Sequence, residues 1–316
     1  MSLKLYRNVL LALGLLILVA IIVASNPAQI YSALVIGRIE FVILALLITT
    51  FTSLLRVFKW SFLLKTRFLS LIPVQFLGVT VSMLTPARVA EPTKALLLKM
   101  KDGTSVSKSL PSIIWERILD ITALVIFAAL TLTMLASTQF FLLGYVGVAA
   151  FSILVIVLLF ILYSRRFGIV VFNLIRRLPF LKNLKDGFLK SFYSVRIGRK
   201  RVTAGFVIAL VIWFFDGLSL YFVLQAFGVY INPLIGVGIV ALSVMIGVAS
   251  SLPGGLGSTE IVMILLLTSY GVQNPIAVTA VFIYRFVTFW YGLGLGVASF
   301  LYLSKKINLE EIKLLK

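Results

Sequence analysis

The chain contains no cysteine and no histidine in 316 residues. Those absences exclude disulfides, thiol chemistry, haem ligation and ordinary zinc sites. They also remove the side chain most used to shuttle protons near neutral pH, so any proton coupling falls to carboxylates. Acidic residues are scarce too, ten against 29 Lys and Arg. A long polar stretch is missing as well. The largest, residues 164–201, is too short to house a separate catalytic domain.

What the chain does have is hydrocarbon. Apolar residues make up 61% of it and the mean hydropathy is +1.14, with several long hydrophobic runs, which describes an all-α polytopic protein of the cell membrane. A net charge of +19 would point to nucleic acid in a soluble protein. Here most basic residues lie between the apolar runs, where the positive-inside rule and anionic headgroups account for them, so no nucleic-acid partner is expected.

Taken in order, residues 9–24 form a first span, better explained as retained than as a signal peptide because the run is long and more spans follow. Residues 39–55 form the second, ending at Arg56, Lys59, Lys65 and Arg67, which mark the cytoplasmic side. Residues 69–84 are apolar but stop at Thr85-Pro86-Ala87-Arg88-Val89-Ala90-Glu91-Pro92. A full crossing would strand the following lysines outside, so a re-entrant hairpin from the inside is preferred. Residues 111–136 cross outward and 140–163 return.

Residues 164–201 hold eleven Lys and Arg and one acid, Asp186, with apolar residues at helical spacing. Helices lying on the inner leaflet and a solvated basic linker fit that pattern equally. Residues 202–227 cross outward with Asp216 mid-span, and 276–303 cross inward through Arg285, leaving both termini cytoplasmic. Between them, residues 234–270 contain no Lys or Arg and are broken by Pro253-Gly254-Gly255-Leu256-Gly257-Ser258-Thr259-Glu260. Helix-breaking backbone at membrane depth must be buried in protein or line a wet cavity, so this segment is expected to be a hairpin dipping in from outside.

The halves, residues 39–136 and 202–303, then match. Pro86 precedes Arg117 by 31 residues and Pro253 precedes Arg285 by 32; Glu91 precedes Arg117 by 26 and Glu260 precedes Arg285 by 25. The expected fold is about six full spans and two re-entrant hairpins in an inverted repeat, with the broken tips facing each other near the midplane.

An Arg inside a span is costly and needs a partner or a function. Arg117 and Arg285 fit either internal salt bridges to Glu116, Asp120, Glu260 or Glu91, or a bidentate clamp on a phosphate. Arg88 in the first tip favours the clamp, and helix starts after Pro92 and Ser258 would add backbone donors. Glu260 also suits a plain helix start. Asp216, among Trp213, Phe214, Phe215 and Tyr221, is either a coupling carboxylate or the partner of a span Arg. Gly292-Leu293-Gly294-Leu295-Gly296 sits within a span and serves close packing rather than a cofactor, and no cofactor or metal is expected.

Three blocks resemble the flippase-like membrane domain of lysylphosphatidylglycerol synthases in its stand-alone form. They are Thr85 to Lys94, Trp115-Glu116-Arg117-Ile118-Leu119-Asp120, and Leu252 to Glu260 followed by Tyr284-Arg285. Arg88, Glu91 and Lys94 match the first, with Ala90 where the family prefers Gly. Glu116, Arg117 and Asp120 match the second, and Pro253, Gly254, Gly255, Gly257, Glu260 and Arg285 the third. The resemblance implies a non-enzymatic protein that flips a phospholipid or a polyprenyl-phosphate-linked sugar between leaflets. The alternative reading is a non-transporting subunit that presents a carrier lipid to a glycosyltransferase. A membrane-embedded phosphatase or transferase is disfavoured by the missing His and Cys.

Overall fold

The computed structural model describes residues 37–134, 141–167, 192–195 and 197–305, with isolated positions elsewhere. Most of the expected first span (residues 9–24) and of the basic segment 164–201 lies outside the described residues. Among the described residues the regular structure is helical throughout. That is what apolar sequence in a bilayer requires, because a helix satisfies every backbone N–H and C=O within its own segment.

The elements run in order as α1 (Ile39–Leu64), α2 (Phe68–Met83), α3 (Thr93–Asp102), α4 (Val106–Met134), α5 (Phe141–Tyr163), α6 (Arg199–Gln225), α7 (Pro233–Ala249), α8 (Ser258–Ser269), α9 (Asn274–Arg285) and α10 (Tyr291–Ser304). Helices α9 and α10 are joined through a π-helical turn, Phe286–Trp290, and act as one run. Among the described residues four stretches can cross a membrane by length and composition: Ile39–Leu64, Tyr145–Leu162, Arg199–Gln225 and Asn274–Ser304. Helix α4 has the length, 29 residues, but carries Lys108, Glu116, Arg117 and Asp120 in its first half. Helices α2, α7 and α8 are apolar and shorter than a full crossing.

Helices α1 and α6 run antiparallel along a long seam. The start of α1 meets the end of α6 through Arg38 N donating to Ala226 O, and its end meets the start of α6 through Arg201 Nη1 donating to Leu63 O. Between these, Ser219 Oγ donates to Ala45 O at 3.2 Å. Helix α7 is wedged between α6 and α4 at glycine contacts: a Cβ on Gly217 would collide with Val237, and one on Gly238 with Thr131. The glycine series in the last span behaves as expected at one position. Gly296 packs against Thr80 of α2, whereas Gly292 and Gly294 have open space beside them.

One boundary is corrected. The second span does not end at residue 55 with Arg56 and Lys59 as cytoplasmic flank; α1 continues to Leu64 and carries both inward, Lys59 fully buried. The positive-inside rule counts charges in loops, and it fails where carboxylates on neighbouring helices neutralise the cation. Lys65 is the true end, in left-handed conformation with its N–H on Ser61 O.

Each broken stretch folds as a short 3₁₀ turn, Pro86–Arg88 in the first and Pro253–Gly255 in the second, and the two turns touch. In the first, positive φ falls on Arg88, at 56°. Ala90, where the resemblance prefers Gly, needs no left-handed backbone, and its N–H is taken by Thr85 Oγ1 at 3.2 Å. In the second, Gly254 and Gly255 both have positive φ. Gly254 lies against Phe289, and Gly255 against the backbone of Gly247, so neither the conformation nor the space admits a side chain.

Candidate functional site

Charged residues converge from six directions on the space beside the touching tips. Helix α1 supplies Arg56 and Lys59, three apart and so on one face. Helix α4 supplies Glu116, Arg117 and Asp120, and α6 supplies Asp216. The first tip and the start of α3 supply Arg88, Glu91 and Lys94. The start of α8 supplies Glu260, and Arg285 ends α9 where the π turn begins.

Nearly all of this charge is paired. Arg56 Nη2 meets Asp216 Oδ2 at 2.5 Å, and Lys59 bonds Asp120. Lys94 Nζ donates to Glu116 Oε2 at 2.6 Å and to Gln75 Oε1 at 3.2 Å, while Gln75 Nε2 donates to Glu116 Oε1 at 3.1 Å. Glu91 receives both Nε and Nη2 of Arg117, a two-point fork that fixes the carboxylate plane. Arg285 Nε donates to Glu260 Oε1 at 2.5 Å, and its Nη2 to the Gly254 carbonyl at 2.9 Å, tying the second tip to the last span. Aromatic faces cover three of the cations: Trp60 under Lys94, Trp213 under Arg56 and Phe289 under Arg285. A single buried ion of this kind would be strongly destabilising, and pairing makes the cluster tolerable.

Arg88 differs. Among the described residues it has no carboxylate within ion-pair distance and no acceptor for its guanidinium. Among the described residues three buried side-chain polar atoms also lack hydrogen-bond partners: Trp213 Nε1, Ser243 Oγ and Glu260 Oε2.

The paired groups wall a polar cavity of about 150 Å³, lined by Arg56, Arg88, Glu91, Glu116, Arg117, Asp120, Asp216 and Arg285 together with Gln75, Thr259 and Tyr284. Beside it lies an apolar groove of about 260 Å³ between α4, α5 and α7, lined by Ile113, Ile114, Leu124, Phe151, Leu154 and Met245 among others. Arg88, Glu91, Arg117, Trp213 and Val244 line both. A third, smaller space between the tips is bounded by Arg88, Gly254, Gly255, Thr259 and Arg285.

Of the residues singled out from sequence, Arg88, Glu91, Glu116, Arg117, Asp120, Asp216 and Arg285 stand on the cavity wall. Lys94 and Glu260 lie behind it, 0% and 1% exposed, each bonded to a wall residue. Gly254 and Gly255 border the space between the tips, Pro253 is buried at the turn, and Gly257 starts α8. Of the two readings of Asp216, the structure contains the pair with a span Arg, and that Arg is Arg56. Sequence reasoning missed Arg56, Lys59, Gln75, Trp213 and Tyr284. A signal for the first two existed: Asp120 and Asp216 each needed a cation within the apolar layer.

The family described as Lysylphosphatidylglycerol synthase TM region matches residues 10–296. Two proteins of Methanothermobacter thermautotrophicus, each named a UPF0104 membrane protein, are similar to the chain. One is 28% identical over 311 residues, covering 90% of each chain. The other is 26% identical over 329 residues, covering 95% of this chain and 96% of its own. A UPF0104 membrane protein of Pyrococcus horikoshii is 25% identical over 287 residues, covering 82% of this chain and 85% of its own.

Proposed function

The chain belongs to the lysylphosphatidylglycerol synthase transmembrane-region family, and on that footing we propose that it moves a phosphate-bearing lipid between the two membrane leaflets. The observation that carries this reading is the shared wall. The charged cavity and the apolar groove have Arg88, Glu91, Arg117, Trp213 and Val244 in common. A ligand that fills both has an anionic end and a hydrocarbon end, which is the chemistry of a lipid. Guanidinium forks suit the phosphate, and the groove between α4 and α5 suits the chain.

In this reading α2–α3 and α7–α8 are hairpins entering from the inner and outer leaflets, with about six full crossings around them and both termini cytoplasmic. The parallel pairing supports an inverted repeat: the Glu of each tip bonds the Arg of the span that follows, Glu91 with Arg117 and Glu260 with Arg285. Two hairpins meeting at mid-depth leave only thin barriers on either side of the headgroup, which is how alternating exposure of one site is achieved.

The test is exchange in liposomes. Purified protein reconstituted with a head-labelled phospholipid should make the inner-leaflet label accessible to an impermeant quencher, beyond the half accessible in protein-free vesicles. Arg88→Ala, which removes the one guanidinium of the cluster that pairs with no carboxylate, should slow that exchange by about tenfold or more, the loss expected when one charge-assisted contact is removed. Wild-type protein that binds lipid and never exchanges it would assign the chain a carrier-presenting role instead.

A further inference from the structure

The ion pairs leave a specific remainder. Every carboxylate of the cluster already has a cation, and six cations face five carboxylates across the pairs described above. The unmatched one is Arg88, which borders the polar cavity, the apolar groove and the space between the tips. Trp213 lines the same cavity and groove, 7% exposed, with a buried Nε1–H that has no acceptor among the described residues. A buried donor without an acceptor is costly unless a ligand completes it. The cavity thus holds one uncompensated positive charge.

We infer that the headgroup site is matched to a single negative charge, so that it takes phosphodiester lipids and discriminates against phosphomonoester and pyrophosphate ones. This rests on the lipid-binding reading and sharpens its substrate class. A phosphodiester oxygen accepts from Arg88, and the charge of the filled site is then zero. A phosphomonoester above its second ionisation near pH 6 brings a second charge. No cation of the cluster is free to meet it, and an unpaired charge in a low-dielectric site is strongly disfavoured. Freeing a second guanidinium would mean breaking a pair and stranding a carboxylate. The consequence for sugar carriers is specific: a sugar joined to a polyprenyl chain by one phosphodiester fits, and the bare carrier monophosphate does not.

The experiment compares three lipids with identical acyl chains, bound to the full protein in maltoside micelles at pH 8: phosphatidylmethanol, phosphatidic acid and diacylglycerol. Phosphatidylmethanol, the smallest phosphodiester, should bind at least tenfold more tightly than either other lipid. Arg88→Gln should abolish that preference while leaving the unfolding temperature unchanged, since it breaks no ion pair. Asp216→Asn, which releases Arg56, should move the preference toward phosphatidic acid by about tenfold. Phosphatidic acid binding the wild type as tightly as phosphatidylmethanol would overturn the charge match alone. Failure of all three lipids to bind would overturn the lipid site and the inference with it.

Discussion

Lys59 carries an ammonium group into the interior of a helix, fully buried, where Asp120 takes its charge. Isolated, such a group would lose protonation or unfold the site; paired, it fixes the rotation of α1 against α4. Removing one partner leaves the other charged and dry. Lys59→Met should therefore destabilise the protein by about 3–5 kcal/mol, measured by denaturant unfolding in mixed micelles. Lys59→Met combined with Asp120→Leu should recover most of that loss, because an apolar pair has no desolvation to offset. If the double variant is as unstable as the single one, the pair is not what holds these helices in register. Arg88 is the opposite case. It has no pair to lose, so its substitutions should alter lipid selectivity and leave stability alone.

At the scale of elements, the seams between helices depend on where side chains are absent. Helix α7 lies so close to α6 that a Cβ on Gly217 would overlap the backbone of Val237, which cannot rotate away. Gly217→Ala should cost about 1–3 kcal/mol through that overpacking. Gly292→Ala, with open space beside it, should be neutral or slightly stabilising, by at most about 1 kcal/mol. Thermal unfolding of the two variants side by side checks the pair of expectations; equal effects would remove the close-approach explanation. The same contrast shows what the sequence could disclose. A glycine run signals packing, but which of its members leaves no room for a side chain depends on the neighbouring helix, and of the three only Gly296 would set an added Cβ against a neighbour. The helix breaks were legible because Pro and Gly act locally through fixed φ and missing N–H groups. Three of the arms, α2, α7 and α8, begin and end within a few residues of the positions the apolar runs indicate, and no apolar run marks the lysine-bearing α3. Arg56 and Lys59 were not legible in the same way. Their burial depends on Asp216 and Asp120, some 160 and 61 residues away in the chain, and a charge rule that looks at neighbours in sequence assigns them to the flank. The partner of each tip Glu was legible as a spacing and became a bond only in three dimensions.

For the whole molecule, the arrangement of the two halves fixes which loops face which compartment. If α2–α3 enters and leaves from the cytoplasm, the turn after α3 at Asp102 is cytoplasmic. If α7–α8 enters and leaves from outside, the turn after α8 at Gln273 is external. Both residues are exposed at the ends of their helices. The two turns then lie on opposite faces although each follows a hairpin, and that opposition is the signature of an inverted repeat. The chain has no native cysteine, so single cysteines at these positions can be read without background. In intact cells a membrane-impermeant maleimide should label Gln273→Cys and spare Asp102→Cys. In inside-out vesicles the pattern should reverse. Labelling of both from one side would mean that the two halves share an orientation. The tips would then have entered from the same leaflet, and the paired bonds Glu91–Arg117 and Glu260–Arg285 would have to be two solutions to one local problem, the neutralisation of an Arg in a span, rather than two copies of one fold.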